Sequence, residues 1–304
     1  MRTVFAGTPE FAIPALAELC RRPELELVGV YTQPDRPAGR GRLRGASPVK
    51  QAALAAGLAV RQPDTLRSAE VLAAYQALAP ELLVVAAYGL ILPGAWIAPP
   101  LTAINVHASL LPRWRGAAPI QRALMAGDRE TGISIMRVVE RLDAGPVWLR
   151  LSCPISDRDT GGSLHDRLAA LGAEALRAAL DQLRDGTVRE EAQDERLATY
   201  AQKLVAGDRQ LDWSETAIAL ERRVRALAPA PGATAHIGTL DVKVLAAHAV
   251  ARTHASPPGT LLERSRKHLL VAAAAGVLAI TELQPAGRQR MSVAAFLNGY
   301  GDGL

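Results

Sequence analysis

Apolar and polar positions follow two different periods along the first half of the chain. Short apolar runs with the length of β-strands recur at residues 2–6, 25–32, 58–61, 82–87 and 102–107. Between these runs the apolar positions have helical spacing, at residues 9–21, 48–56 and 66–78. The run Leu82–Ala87 is apolar throughout, which is typical of a central parallel strand with both faces covered. This alternation predicts an α/β domain with a parallel sheet between helices.

A change of pattern near residue 187 predicts two domains. A helix over 116–126, strands over 132–139 and 146–153, and a long helix over 164–184 complete the first domain, residues 1–186. Residues 187–207 are polar with little periodicity, so we interpret them as a linker. In residues 208–304 a helix over 216–226 precedes five short strand-like segments, at residues 234–237, 240–246, 259–262, 269–273 and 277–283. Five such strands with Gly and Pro turns favour a small β-barrel such as an OB-fold.

Length and composition agree with a globular protein of two domains. The chain has 304 residues, of which 49% are hydrophobic and 21% charged. Its two cysteines, Cys20 and Cys153, support neither a disulfide framework nor a cysteine zinc site. Residues 1–7 lack the layout of a signal peptide, and the apolar runs are shorter than the roughly 20 residues that span a bilayer. We therefore expect a cytoplasmic protein, and the absence of heptad repeats favours a monomer.

Positive charge is concentrated in two regions of the chain. The net charge is +5 overall. Residues 33–50 hold 5 basic residues against one acidic residue, and residues 203–304 hold 12 against 8. Two basic regions on an otherwise slightly acidic chain favour a polyanionic partner such as a nucleic acid. A genomic preference for Arg, of which there are 31 against 4 Lys, would give the same charge on an ordinary solvated surface.

Two loops that follow the first strands could contact phosphates. The turn Gly7-Thr8-Pro9 has a glycine that admits a close ligand and a helix start that favours anions, although a plain strand-to-helix turn uses the same residues. It is not the Gly-x-Gly-x-x-Gly of a dinucleotide site. Residues 33–44 are too long and too basic for a simple connector. This segment is either a solvated loop or one that orders against phosphates through its four arginines, Arg36, Arg40, Arg42 and Arg44.

A strand end and the loop after it hold the first candidate for catalysis. Asn105 and His107 are two positions apart on a strand and therefore face the same side, at the edge where ligands of open α/β sheets collect. An amide can hold a developing oxyanion, and an imidazole can exchange a proton. A structural histidine is the alternative for this pair alone. The following loop, residues 107–119, contains two Arg, a Trp and two Pro, which favours a functional role.

A carboxylate in the turn Leu142-Asp143-Ala144-Gly145 is the second candidate. Aspartate in a turn commonly caps its own backbone. It can also orient an imidazole across a fold, whatever the distance in sequence. The sequence alone leaves both roles open for Asp143. The chain has no Cys and His cluster with the spacing of a metal site, so we expect no metal.

Taken together, these residues resemble the 10-formyltetrahydrofolate-dependent formyltransferases. The active-site pattern of that family matches Asn105-Val106-His107, Ser109-Leu110-Leu111-Pro112 and Leu142-Asp143-Ala144-Gly145. Other matching stretches extend the similarity nearly end to end, at residues 5–9, 32–50, 87–93, 112–122, 199–203 and 211–213.

The resemblance implies a fold and a reaction. The implied fold is a Rossmann-like catalytic domain over residues 1–186 and an OB-fold-like, tRNA-binding domain over residues 208–304. The implied reaction moves the formyl group of 10-formyltetrahydrofolate, a co-substrate, to the α-amino group of methionyl initiator tRNA, for initiation of translation. No metal is needed, because the formyl donor is already activated.

The resemblance also implies roles for individual residues. Asn105, His107 and Asp143 match the catalytic residues of the family. Ser109, Leu110, Leu111 and Pro112 match the stretch that binds the folate. Arg40 lies at the loop position that engages the tRNA acceptor end, and with it we expect Arg36, Arg42 and Arg44 to contact tRNA.

Two other functions remain open on sequence grounds. A formyltransferase for another amine, such as an amino-sugar nucleotide or glycinamide ribonucleotide, would keep the same catalytic residues, but the two basic regions argue against it. A nucleic-acid-binding module without catalysis fits the charge and the barrel. Such a module would leave the combination of Asn105, His107 and Asp143 unexplained. An aromatic content of 4% also provides few side chains on which bases could stack.

Overall fold

The computed structural model describes residues 1–38 and 43–300. These residues form two compact units. The first consists of the described residues within Met1–Pro119, Glu130–Pro154 and His165–Ala201, and the second of those within Ile120–Arg129, Ile155–Leu164 and Gln202–Leu304. Within the described ranges, no helix is both long enough and apolar enough to cross a membrane.

The secondary structure follows the sequence pattern closely in the first unit. Its strands are β1 (Arg2–Gly7), β2 (Glu26–Tyr31), β3 (Arg36–Ala38), β4 (Leu43–Gly45), β5 (Val60–Arg61), β6 (Leu82–Ala86), β7 (Thr102–His107), β8 (Arg115–Gly116), β9 (Glu130–Arg137), β10 (Val147–Pro154) and β11 (Tyr200–Ala201). The helices of the chain are α1 (Ile13–Cys20), α2 (Pro48–Ala55), α3 (Ala69–Gln76), α4 (Pro119–Ala126), α5 (Gly161–Arg184), α6 (Ala206–Arg209), α7 (Ala217–Leu227) and α8 (Val293–Tyr300). Single 3-10 turns lie at Glu10–Ala12, Gly94–Trp96 and Glu195–Leu197.

The main sheet has seven strands in the order β10-β9-β7-β6-β1-β2-β5. Strands β5, β2, β1, β6 and β7 are parallel, as the alternation of strands and helices predicts. Strands β9 and β10 are antiparallel, so the sheet is mixed and not wholly parallel. The connection between β9 and β10 is too short for a crossover helix, which explains why β10 returns antiparallel to β9. All five residues of β6 are buried, as expected for a central strand.

The glycine that ends β1 is required by packing. A Cβ on Gly7 would lie 2.8 Å from the Cβ of Ala12 and 3.0 Å from the carbonyl oxygen of Ala86. Real Cβ atoms do not approach other heavy atoms so closely, so the strand-to-helix turn needs glycine for steric reasons. This contact accounts for the turn without any ligand.

A short hairpin lies within the basic segment after β2. Strands β3 and β4 pair antiparallel, with Arg36 opposite Gly45 and Ala38 opposite Leu43. The backbones of Arg36 and Arg44 therefore lie on paired strands. Arg40 and Arg42 lie outside the described residues.

An antiparallel sheet forms the second unit, in agreement with the predicted β-rich C-terminal region. Its strands are β12 (Ala233–Ile237), β13 (Leu240–Val250), β14 (Leu261–Arg264), β15 (Leu269–Ala272), β16 (Val277–Pro285) and β17 (Met291–Ser292). They run in the order β12-β13-β16-β15-β14, and β17 pairs with β16. Helices α7 and α8 contribute Leu220, Val224 and Phe296 to the same buried core as Val244 and Ile280 of the sheet. Helix α8 was not predicted from the sequence.

Candidate active site

Strand β7 carries two of the candidate residues to the carboxyl edge of the main sheet. Asn105 lies beside Val85 of parallel β6 and Met136 of antiparallel β9, and His107 lies beside Ser134 of β9. The side chain of Asn105 is half-buried and makes no hydrogen bond with any other described residue. An unpaired amide on the same side of the strand as His107 is free to donate to a ligand.

The His107 ring is held by a backbone carbonyl. His107 is only 5% exposed, and its Nε2 lies 3.0 Å from the carbonyl oxygen of Trp114. A carbonyl oxygen can only accept a hydrogen bond, so Nε2 carries a proton and donates. In the neutral ring, Nδ1 is therefore the atom with a free lone pair. This selects Nδ1 as the atom that can take up a proton.

Asp143 lies next to that nitrogen. Its Oδ2 is 3.7 Å from His107 Nδ1, an ion-pair distance that is longer than a direct hydrogen bond. The same Oδ2 accepts a hydrogen bond of 2.8 Å from the backbone N–H of Gly116. The tertiary structure thus brings the two candidates together, and the carboxylate is oriented by the loop that follows β7.

Two non-glycine residues around His107 have left-handed backbones. The φ angle is +62° at Trp114 and +48° at Asp143. Such conformations cost about 1–3 kcal/mol each and persist where the surroundings over-determine them. Both residues lie next to the imidazole: Trp114 contacts it through its carbonyl oxygen, and Asp143 faces it with its carboxylate.

The predicted folate-binding stretch is fastened to strand β9. Ser134 Oγ donates to the carbonyl oxygen of Ser109 at 2.7 Å and accepts from the N–H of Leu111 at 3.0 Å. Ser109 Oγ donates to the carbonyl oxygen of Arg113 at 2.6 Å. The side chains of Ser109 and Leu111 are buried and shape the loop, whereas Leu110 and Pro112 are partly exposed.

Three loops at the carboxyl edge of the sheet are joined around Tyr88. The carbonyl oxygen of Tyr88 accepts a hydrogen bond from Thr8 Oγ1 at 2.8 Å and another from Gln33 Nε2 at 3.0 Å. Burial raises the pKa of the Tyr88 hydroxyl well above its usual range, so this side chain stays neutral. The loops after β1, β2 and β6 therefore form one connected edge.

Residues 193–201 contact the candidate site, and sequence reasoning missed them. Strand β11 pairs with β8 and places Tyr200 beside Arg115 and Ala201 beside Gly116. The polarity of this segment favoured a linker, and only the short run Thr199–Lys203 stood out by resemblance. Its contacts are between backbones and buried polar groups, which leave no periodic signal.

The described residues include no group of three or more His, Cys, Asp or Glu side chains that could hold a metal ion. The polar groups next to His107 include the Asp143 carboxylate and the Trp114 carbonyl, and the Asn105 amide lies two positions earlier on the same strand. This set can stabilise an oxyanion and move a proton.

Comparison with known proteins identifies the family. The formyl transferase profile matches residues 1–180, and the profile of the formyl transferase C-terminal domain matches residues 203–301. The chain belongs to the formyl transferase family. The resemblance noted in the sequence is thereby confirmed.

Relatives of this formyl transferase match over nearly its whole length. A methionyl-tRNA formyltransferase of Pseudomonas paraeruginosa is 52% identical over 300 residues, which cover 98% of this chain and 96% of that protein. A methionyl-tRNA formyltransferase of Methylococcus capsulatus is 50% identical over 301 residues, covering 99% and 97%.

Solved structures share the fold of this formyl transferase at low identity. HypX from Aquifex aeolicus in complex with tetrahydrofolic acid has a TM-score of 0.65 at 17% identity, over 100% of this chain and 48% of that one. The N-formyltransferase from Helicobacter canadensis, in complex with folinic acid and dTDP-3-aminofucose, has a TM-score of 0.69 at 14% identity, over 93% and 98%.

Proposed function

We propose that this formyl transferase moves the formyl group of 10-formyltetrahydrofolate to the α-amino group of methionyl initiator tRNA. The observation that carries the proposal is an identity of 52% and 50%, over nearly the full chain, to two proteins named methionyl-tRNA formyltransferase. The bound tetrahydrofolic acid and folinic acid of two structural neighbours agree with a folate donor.

Asn105 is proposed to stabilise the oxyanion of the reaction. When the neutral amine attacks the formyl carbon, the carbonyl oxygen gains negative charge. The half-buried, unpaired amide of Asn105 can donate a hydrogen bond to that oxygen. One such donor is worth roughly 10²–10³ in rate.

His107 and Asp143 are proposed to move the protons. Nδ1 can donate a proton to N10 of the folate as the bond between N10 and the formyl carbon breaks, because Nε2 is committed to the Trp114 carbonyl. The Asp143 carboxylate, 3.7 Å away, stabilises the positive charge on the ring. It also takes up the proton that the attacking amine loses, directly or through water.

The remaining predictions complete the proposal. Arg36, Arg40, Arg42 and Arg44 are proposed to contact the tRNA, and Ser109–Pro112 to hold the folate. Residues 1–186 would form the catalytic domain, joined by residues 187–207 to an OB-fold-like domain that contacts tRNA. The protein would act as a monomer in the cytoplasm, where translation begins.

The decisive experiment measures transfer of labelled formyl from 10-formyltetrahydrofolate to charged initiator tRNA. Wild-type protein should form formyl-methionyl-tRNA. His107→Ala should lose turnover strongly while its affinity for tRNA stays almost unchanged. Transfer to an amino-sugar nucleotide but not to the tRNA would establish the small-amine alternative, and near-normal turnover of His107→Ala would remove the assigned role of His107.

Arg40→Ala tests the tRNA-binding loop separately. This variant should mainly weaken productive tRNA engagement, and its defect should depend on the acceptor-stem sequence. The measurement is kcat/KM on initiator tRNAs with altered acceptor stems. An equal defect on every tRNA would instead indicate a plain phosphate contact.

A further inference from the structure

Gln193, which is outside the candidate catalytic set, joins the two turns that contact His107: the turn that contains Asp143 and the turn that contains Trp114 and Arg115. Gln193 Nε2 donates to the carbonyl oxygens of Asp143, at 2.9 Å, and Gly145, at 2.7 Å. Its Oε1 accepts from Arg115 Nε at 2.9 Å. Both N–H groups and the oxygen of the amide are therefore used in the link.

Arg115 gives this link a rigid base. Its guanidinium is fully buried and forms two hydrogen bonds with Glu195, of 2.9 and 3.1 Å. A buried charge with its partner in place is costly to disturb. In sequence Arg115 stands between Trp114, whose carbonyl holds His107, and Gly116, whose N–H holds Asp143.

Thr199 holds the backbone of the turn that contains Trp114 and Arg115. Its Oγ1 accepts from the N–H of Trp114 at 2.9 Å, and its carbonyl oxygen accepts from the N–H of Arg115 at 2.9 Å. The left-handed backbones of Trp114 and Asp143 are thus each fixed by a residue of the 193–201 segment. Strained conformations need such external support.

We infer that Gln193 is a positioning residue that sets the distance and orientation between Asp143 and His107. The inference rests on the proposed function, because it assumes that these two residues move protons. Gln193 acts through the backbone of the Asp143 turn and does not touch the reacting atoms. Without its two donated hydrogen bonds, the Asp143 turn loses its link to Arg115, and the carboxylate is held only by the N–H of Gly116.

Two substitutions separate positioning from plain packing. Gln193→Ala should lower kcat by about 10- to 100-fold, the cost of a misplacement of about 1 Å, with little change in KM for tRNA or folate. Gln193→Glu has nearly the same size and keeps the oxygen that Arg115 uses, but it replaces the two donated hydrogen bonds with repulsion between oxygens, so kcat should stay low although the side-chain packing is retained. If Gln193→Glu turned over like wild type, the donated bonds would be irrelevant and the inference would fail.

A spectroscopic measurement tests the inference without using activity. In protein labelled with ¹⁵N-histidine, the His107 signals are assigned by their loss in His107→Ala. The ¹⁵N chemical shift of His107 Nδ1 should differ between wild type and Gln193→Ala, because the Asp143 carboxylate next to it has moved. Unchanged His107 signals in Gln193→Ala would overturn the inference, whatever happens to kcat.

The controls separate the possible failures. Gln284→Ala, in which another glutamine loses a hydrogen bond to a backbone carbonyl, should leave kcat and the His107 signals unchanged. If Gln193→Ala does not fold, Gln193→Glu is measured in its place, and a wild-type kcat in that variant would overturn the inference. If wild type itself fails to formylate methionyl-tRNA, the proposed function is wrong, and the ¹⁵N comparison still decides the positioning role.

Discussion

Trp114 and Asp143 show how single residues store conformational energy around the His107 imidazole. Each has a positive φ without being glycine. The carbonyl oxygen of Trp114 accepts a hydrogen bond from His107 Nε2, and the carboxylate of Asp143 lies at an ion-pair distance from His107 Nδ1. Because aspartate and asparagine tolerate this region better than most residues, the left-handed backbone of Asp143 is compatible with its chemistry. Trp114 has no such tolerance, so its conformation depends on the contacts with Thr199.

Asp143→Asn separates the charge of the carboxylate from its position. Asparagine accepts the left-handed backbone, and its Oδ1 can still accept from the N–H of Gly116. We expect a near-normal Tm and a formyl-transfer rate lowered on the order of 100-fold, because the neutral amide cannot take up a proton. Single-turnover kinetics and thermal melting provide the measurements. A wild-type rate would show that the charge is not used.

Asn105→Ala should lower the single-turnover rate by roughly 10²–10³ through the loss of one oxyanion donor. Stability should change little, since the amide has no hydrogen-bond partner among the described residues. The chain provides a matched control in its other asparagine, Asn298, which is exposed on α8. Asn298→Ala should be fully active; a comparable loss in both variants would exclude a specific role for Asn105.

Helices and strands were predictable wherever burial on one face leaves a period in the sequence. Strand β7 was predicted to the residue, and β6 to within one residue. Strands β8 and β11 are two residues each and pair across a long stretch of sequence, so no local period marks them. Helix α8 did leave a signal, because Val293, Phe296 and Leu297 have helical spacing, and it was overlooked.

The α4 and α6 helices of the second unit are linked by an ion pair that should depend on pH. Arg122 forms hydrogen bonds of 2.8 and 2.9 Å with Asp208, and with the Val205 N–H it holds the pKa of that carboxyl below its usual value. A lowered pKa in the folded state means that the stabilisation is present above the ordinary carboxyl pKa, about 3.9, and is lost as pH falls through the lowered value.

Asp208→Asn should therefore lower Tm at pH 7 by a few degrees, corresponding to a loss of about 1–2 kcal/mol. The difference from wild type should shrink as pH falls below about 4. Thermal melts across pH 3–7 measure it, with Asp241→Asn as a control, because Asp241 is exposed and its carboxyl should matter little. A difference that persists undiminished at pH 3 would contradict the assignment.

The charge of the whole molecule matters for the proposed tRNA partner. The basic residues of segments 33–50 and 203–304 supply positive charge from both ends of the chain. If these segments neutralise about four phosphates, tRNA affinity should fall on the order of 100-fold between 50 and 200 mM salt. Binding titrations measure this slope, and folate binding serves as the comparison that should vary far less. A salt-independent tRNA affinity would exclude an electrostatic role.

The monomeric state is tested by mass in solution. Light scattering after gel filtration should give about the chain mass of 32.2 kDa at micromolar concentration. A stable mass of twice that value would show a dimer and correct the proposal.

Local patterns in the chain were enough to predict the main elements, the Asn105 and His107 pair at a strand end, and the resemblance to formyl transferases. They were enough because side-chain periodicity reflects which face of an element is buried, and because ligands of open α/β sheets collect at the carboxyl ends of the strands. The antiparallel strands β9 and β10, the approach of Asp143 to His107 Nδ1, and the links made by Gln193 and Thr199 depended on the path of the chain in space. Contacts between residues far apart in sequence leave no period, so only the tertiary structure could reveal which nitrogen is free and what holds its neighbours in place.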